Sequence, residues 1–250
     1  MVFIAAWLPA NAQTADEIIN NYFETIGGLE KLKALKSTKL IGKVNIGNGM
    51  TIPLEITQTI EGYSMVKVNL QGQTLYQGVF DGETLWGSNQ MTMKPEKQDT
   101  EATENIKLNA NDFPDPFIDY KTKGYTVELI GKETIEGTET FKIKLVQEPH
   151  TVDGKKVDDI YFYYFDTENF VPIVVENEIT SGPGKGMVSQ IKFSDYQEEG
   201  GIYFPFSMTQ GIKDQPGGQE IVIENIELNV KTDKAQFAFP EAVETSKGKN

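Results

Sequence analysis

The chain has 250 residues, 37 acidic against 23 basic, and a formal net charge of −14, which opposes binding to nucleic acid or to anionic membrane surfaces by simple repulsion. Every basic residue is a lysine, so no planar guanidinium is available to grip a phosphate or carboxylate bidentately, and the absence of cysteine excludes disulfides, thiolate catalysis and zinc–thiolate sites. The length suits one large all-β domain or two small ones, either able to bury a sizeable core.

Residues 2–8, "VFIAAWL", form a short apolar run, and Ala10-Asn11-Ala12 has the small-x-small form of a signal-peptidase site before Gln13. We expect 1–12 to be the remnant of a secretory signal peptide and 13–250 a single domain of an exported, soluble protein. The run is too short to span a bilayer, and no later stretch approaches the ~18–20 apolar residues that spanning needs.

From Asp16 onward, Ile18, Ile19, Tyr22, Phe23 and Ile26 recur with a period of 3.6 and share one stripe, which predicts a helix stopped by Gly27-Gly28. A second short helix follows, with Leu29, Leu32 and Leu35 on one side. The stripe needs a sheet beneath it, either as plain core packing or as a lid over a cavity. After Ser37 the period becomes 2, through Leu40, Val44 and Ile46, then Ile52, Leu54 and Ile56, and onward to Val222–Val230. Gly-bearing turn signals divide these runs into about eleven strands joined as an antiparallel meander.

Between Ser88 and Lys123 the alternation fails. Thr100–Asn109 suits a helix with Thr100 or Thr103 near its start, and Pro114 and Pro116 exclude a central strand in "DFPDPFIDY". An insertion of this length is a functional cover or a disordered segment, and Met91, Met93, Ile106, Phe113, Phe117 and Ile118 argue for a cover.

Motifs for chemistry are few. His150, the single histidine, reads as a hairpin-loop residue in water with no nucleophile or orienting acid beside it by motif. Asp112, Asp115 and Asp119 are spaced so that a helical turn would converge them on a cation, but the glycine and terminal Glu of a calcium loop are missing, and turn or capping roles explain them. We therefore expect no catalytic residue, metal or cofactor. The aromatic content, 14 Phe, 10 Tyr and 2 Trp, is more informative: a sheet of eleven strands must split, close or curl around helices, and a barrel of that size leaves room for a ligand unless helices fill it.

The hairpin "IYFYYFDTENFVPIVVE" (160–176) is apolar on both faces. With "DTEN" as its loop, Phe165 pairs with Phe170, Tyr163 with Pro172 and Phe162 with Ile173. One face then carries Ile160, Phe162, Tyr164, Val171, Ile173 and Val175, and we expect it to line the concave side. The other carries Tyr161, Tyr163, Phe165, Phe170, Pro172 and Val174, runs into Glu176 and Glu178, and is assigned outside. A register shifted by one residue reverses the assignment.

Five stretches in order, "ADEIINNYFETIGGLEKLKALKSTKLIGKV", "VFDGETLW", "YYFDTENFVPIVVE", "KFSDYQEEGGIYFPFSM" and "FAFPEAV", resemble the periplasmic outer-membrane lipoprotein-sorting carriers, the LolA-like proteins, from Asp16 to about Val243. The resemblance implies an unclosed antiparallel half-barrel of about eleven strands, wrapped around helices, mainly β with a helical lid. It implies a non-enzymatic periplasmic carrier, a monomer, that shields the acyl chains of a lipid or acylated lipoprotein and meets membrane-bound donor and acceptor proteins. The helical pair 16–36 and the insertion 88–123 would form the lid. Cavity and lid residues would be Ile19, Phe23, Ile26, Trp86, Met91, Met93, Phe113, Phe117, Ile160, Phe162, Tyr164 and Ile173. Those carriers hydrogen-bond the lid with a barrel arginine, and the absence of arginine here excludes that lock. The alternatives are a protein-interaction or envelope-sensor module of the same fold and a hydrolase working through carboxylates.

Overall fold

A computed structural model describes residues 13–47 and 49–241; the expected signal remnant, 1–12, lies outside the described residues. Helix α1 (Ala15–Thr25) begins where Thr14 and Glu17 form a reciprocal capping box, and it buries Ile18, Ile19, Tyr22 and Phe23. Gly27 and Gly28 then turn the chain into α2 (Leu29–Lys33). Gly27 sits at φ +120°, and a β-carbon there would lie 2.2 Å from the Gly201 carbonyl oxygen. Only glycine permits this crossing of helix hairpin and sheet.

The first arm of the sheet comprises β1 (Ser37–Asn45), β2 (Thr51–Thr59), β3 (Ser64–Leu70), β4 (Gln73–Phe80), β5 (Leu85–Ser88) and β6 (Pro95–Lys97). After α3 (Thr100–Asn109) the second arm follows: β7 (Thr126–Ile135), β8 (Thr138–Val152), β9 (Lys155–Asp166) and β10 (Pro172–Glu178). It continues with β11 (Val188–Glu199), β12 (Ile202–Ile212) and β13 (Gln219–Leu228). Among the described residues all thirteen strands form one antiparallel sheet in the order β6-β5-β4-β3-β2-β1-β13-β12-β11-β10-β9-β8-β7. Its edges, β6 and β7, do not pair. The sheet is thus an unclosed half-barrel, and its strand count exceeds the expected eleven partly because four-residue β5 and three-residue β6 are too short to show alternation.

The segment joining the two edges carries α3, which opens at Thr100, one of the two threonines expected near its start, and is capped by Asp99, whose side chain accepts from the Ala102 N–H. The chain then runs through 110–125 to lie beside α1. Together they cover one face of the second arm: Ile18, Ile19, Phe23, Ile26 and Leu32 pack with Phe117 and Ile118 on Phe141, Ile143, Leu145 and Phe165. That burial is the largest apolar term in the fold. On the opposite face, Phe237 and Phe239 of the C-terminal segment pack over Met65, Val79 and Trp86 of the first arm, and the Trp86 Nε1–H donates to the Phe237 carbonyl at 2.8 Å.

The hairpin at 160–176 departs from the expected register. Phe165 faces Pro172, but an irregularity at Ile173 then brings Tyr164 opposite Val174 and Phe162 opposite Glu176. The covered face therefore carries Tyr161, Tyr163, Phe165, Phe170 and Val171. Ile160, Phe162 and Tyr164 lie on the other face, reversing the expectation. The physical reason is the one-residue slip: it places the Glu176 carboxylate beside Phe162 and Tyr164, where Tyr164, Gln190 and Lys213 satisfy it.

Candidate functional site

The helix-covered face continues beyond the helices. Leu40 of β1 opposes Ile226 and Ile56, and Ile226, Phe206, Phe204 and Leu228 carry the apolar surface across β12 and β13 to the core under α1. On β2 the same face presents Ile52, Leu54, Ile56 and Gln58, matched on β3 by Val68, Val66 and Ser64. Among the described residues no helix packs on this strip as α1 packs on the second arm, although Leu54 and Val68 within it are buried.

Two hollows lie along it. A groove of about 560 Å³ is lined by Ile52, Val68, Leu70 and Leu75, by Met93 from the β5–β6 loop, and by polar side chains that include Gln77 and Asn89. At the far end of β2 a cleft of about 280 Å³ lies between the two arms, lined by Gln58, Ser64, Asp112, Phe113, Gln147, Tyr161 and Tyr163 among others. The first is mainly apolar, the second polar.

The polar cleft is built on Asp112. Its Oδ1 accepts from Lys123 Nζ at 3.2 Å and the Tyr125 hydroxyl at 3.1 Å, and its Oδ2 from Gln147 Nε2 at 2.6 Å. Asp115, three residues on, accepts from the Tyr22 hydroxyl of α1 at 2.7 Å and from the Phe117 N–H at 2.8 Å. Burial pushes the Asp115 carboxyl up, the Tyr22 bond opposing it, and burial followed by the Asp115 charge pushes the Tyr22 hydroxyl well up. Two exposed links join the same pieces: Lys33 to Asp119 at 2.8 Å, and Asp16 to both Tyr120 and Lys121. Helix α1 and segment 113–125 are thus fastened to each other by a tyrosine–carboxylate bond. The three aspartates do not converge, and the described residues hold no group of three His, Cys, Asp or Glu able to ligate a metal.

His150 is not in a water-filled loop. It lies in β8, half-buried, with Nε2 2.9 Å from Thr180 Oγ1 and Nδ1 3.7 Å from Asp159 Oδ1. Hydroxyl, imidazole and carboxylate stand in the order of a nucleophilic triad, but 3.7 Å is too long for the carboxylate to orient the ring. What this contact does is tie the β10–β11 loop to β8.

Of the residues expected to form cavity or lid, Ile19, Phe23, Ile26 and Phe117 are in the solid core beneath the helices. Phe113 lines the polar cleft and Met93 the groove. Met91 is 91% exposed at the tip of its loop. Trp86 is buried on the opposite face under Phe237, Ile173 occupies the irregular position in β10, and Ile160, Phe162 and Tyr164 face away, with Lys142 over the rings of the last two. Sequence reading did not bring Asp112, Gln147, Tyr161 and Tyr163 into one cleft; alternation with Phe165 was the available signal for the two tyrosines.

No protein-family model matches the chain, and no curated protein does. Solved structures do. A LolA superfamily protein from Nitrosomonas europaea superposes with a TM-score of 0.56 at 14% identity, covering 91% of this chain and 98% of that one. A putative outer membrane lipoprotein-sorting protein domain from Vibrio parahaemolyticus gives 0.55 at 11% identity, over 88% and 94% of the two chains. A DUF1329 family protein from Desulfovibrio piger gives 0.54 at 11%, over 88% and 97%. In its open thirteen-stranded sheet and helical cover, this chain is similar in fold to the LolA superfamily.

Proposed function

We propose that the protein is a non-enzymatic periplasmic carrier that holds the acyl chain of a lipid or acylated lipoprotein along the apolar strip of its first arm and the groove beside it. The observation that carries this reading is the strip itself: Leu54 and Val68, buried, and Ile52, Ile56 and Val66, half-buried, continue the covered face where no described helix lies over it, and Ile52 and Val68 line a 560 Å³ groove, within the size range of small-molecule sites. The sorting role in the Vibrio structure's description points the same way. Each methylene removed from water contributes about 0.8 kcal/mol, so burying about ten contributes ~8 kcal/mol, enough for micromolar binding before ordering costs. Donor and acceptor proteins at the two membranes belong to the same proposal.

Organic extraction of the purified protein followed by mass spectrometry tests it, together with displacement of a fluorescent fatty-acid probe. The reading expects co-purifying acyl species and saturable displacement. Absence of both would overturn it.

A further inference from the structure

We infer that the cleft at Asp112 is the head-group site for an amphiphile bearing a protonated amine, whose acyl chain lies along β2 and β3. This rests on the carrier reading above and names the ligand class for it.

The first support is linear order on one strand face. Ile52, Leu54, Ile56 and Gln58 alternate inward along β2, and six residues of strand span ~20 Å. The apolar groove adjoins Ile52 and the polar cleft adjoins Gln58. A molecule lying along this strip meets apolar surface at one end and hydrogen-bonding groups at the other.

The second is charge. Asp112 lines the cleft, Asp115 follows it by three residues, and Asp159 lies in the adjoining stretch of β9. Against these three carboxylates stand Lys123, already 3.2 Å from Asp112, and His150, 3.7 Å from Asp159. Burial raises the Asp159 carboxyl, relieved by His150 and reinforced by the Asp112 charge. Such surroundings repel a carboxylate or phosphate head and attract an ammonium.

The third is the hydrogen-bond inventory. An ammonium brings three donors and no acceptor, and the cleft offers acceptors. Besides Asp112, Tyr163 lines it, half-buried, and its hydroxyl makes no hydrogen bond to the described residues. The side-chain carbonyls of Gln58 and Gln147 complete the set. Tyr163 is otherwise fixed, stacked on Phe165 and edge-on to Phe117, so its hydroxyl is held in place for a ligand.

Dodecylamine, dodecanol and dodecanoate, each below its aggregation concentration, are compared by displacement of the fluorescent fatty-acid probe from the full chain. High salt screens simple adsorption of the amine to the acidic surface. The amine is expected to bind roughly tenfold or more tightly than the carboxylate and the alcohol, the scale of one charge-assisted hydrogen bond. Asp112→Asn and Tyr163→Phe should each cut the amine-over-alcohol preference severalfold. Tyr163→Phe keeps the ring packing, so it remains informative if Asp112→Asn fails to fold. An amine that binds no tighter than the alcohol, or a preference that survives both substitutions, overturns the head-group site and leaves the carrier reading standing. If none of the three probes binds, both readings fall.

Discussion

Tyr22→Phe removes one hydroxyl from α1 and leaves its ring in the core. In the native protein that hydroxyl donates to Asp115 Oδ2 at 2.7 Å, and one further bond, from the Phe117 N–H, completes the partners of the Asp115 carboxylate. A hydrogen bond to a charged group contributes ~1.5–3 kcal/mol, and a buried acceptor left unsatisfied loses a comparable amount. Asp115 can offset part of the loss by taking a proton, because burial already raises its pKa. The expected cost is therefore about 2 kcal/mol, or roughly 30-fold more frequent separation of segment 113–125 from α1. Amide hydrogen exchange reads this directly at Ile118 and Tyr125, whose N–H groups donate within the segment to Asp115 and Tyr120. Their exchange should accelerate by that factor while β11–β13 keep native protection. Unchanged exchange would refute the latch. Uniform acceleration across the sheet would also refute it, since Tyr22 would then support only global stability.

Two further predictions concern Asp115 and the C-terminal segment. Asp115→Asn keeps an acceptor for Tyr22 but removes the charge. Because the folded carboxyl has a raised pKa, it binds more protons folded than unfolded, so its contribution is most favourable below the ordinary Asp pKa of about 4 and declines as pH rises through the raised value. In paired thermal melts, wild type should lose ground to Asp115→Asn from pH 4 toward neutrality; a difference that is constant or grows in favour of wild type contradicts the burial argument. Phe237→Ala empties a site in which the ring is fully buried against Met65, Val79 and Trp86, at an expected cost of about 3–5 kcal/mol in denaturant unfolding. It should also alter Trp86 fluorescence, because the carbonyl that accepts from its indole belongs to Phe237.

The fold was legible where one period persisted. The 3.6 stripe from Ile18 to Ile26 and the helix at Thr100–Asn109 appear as read, and two-residue alternation carried most of the strands. What failed was register. The expectation that the face bearing charge points away from the helices was sound, but a four-residue loop assigned Glu176 to the side of Tyr161 and Tyr163. The loop instead runs from Thr167 through Val171, the Asp166 N–H donating to the Val171 carbonyl, and Phe170 takes a left-handed φ of 57°. With the slip at Ile173 added, the carboxylate moved beneath Phe162 and Tyr164. Alternation specifies which residues share a face within a strand; it does not align two strands when both faces are apolar. The candidate site was less legible still, because Gln58, Asp112, Gln147 and Tyr163 come from four separated segments and meet only when the arms curl toward each other.

The link between α1 and segment 113–125 brings no positive charge to this part of the molecule, because the donor is the neutral hydroxyl of Tyr22 and the acceptor a carboxylate. Lys123 is then the lysine facing Asp112 in the polar cleft, outnumbered by Asp112, Asp115 and Asp159. The neutral latch leaves the local excess of carboxylates in place, as the proposed cationic head-group site requires. An engineered positive charge tests this: Tyr22→Lys would retain a donor toward Asp115 while reducing the surplus of negative charge. Such a variant, if the latch still holds segment 113–125 by hydrogen exchange, should bind dodecylamine less tightly than wild type, and equal binding would show that the cleft does not select its ligand by charge.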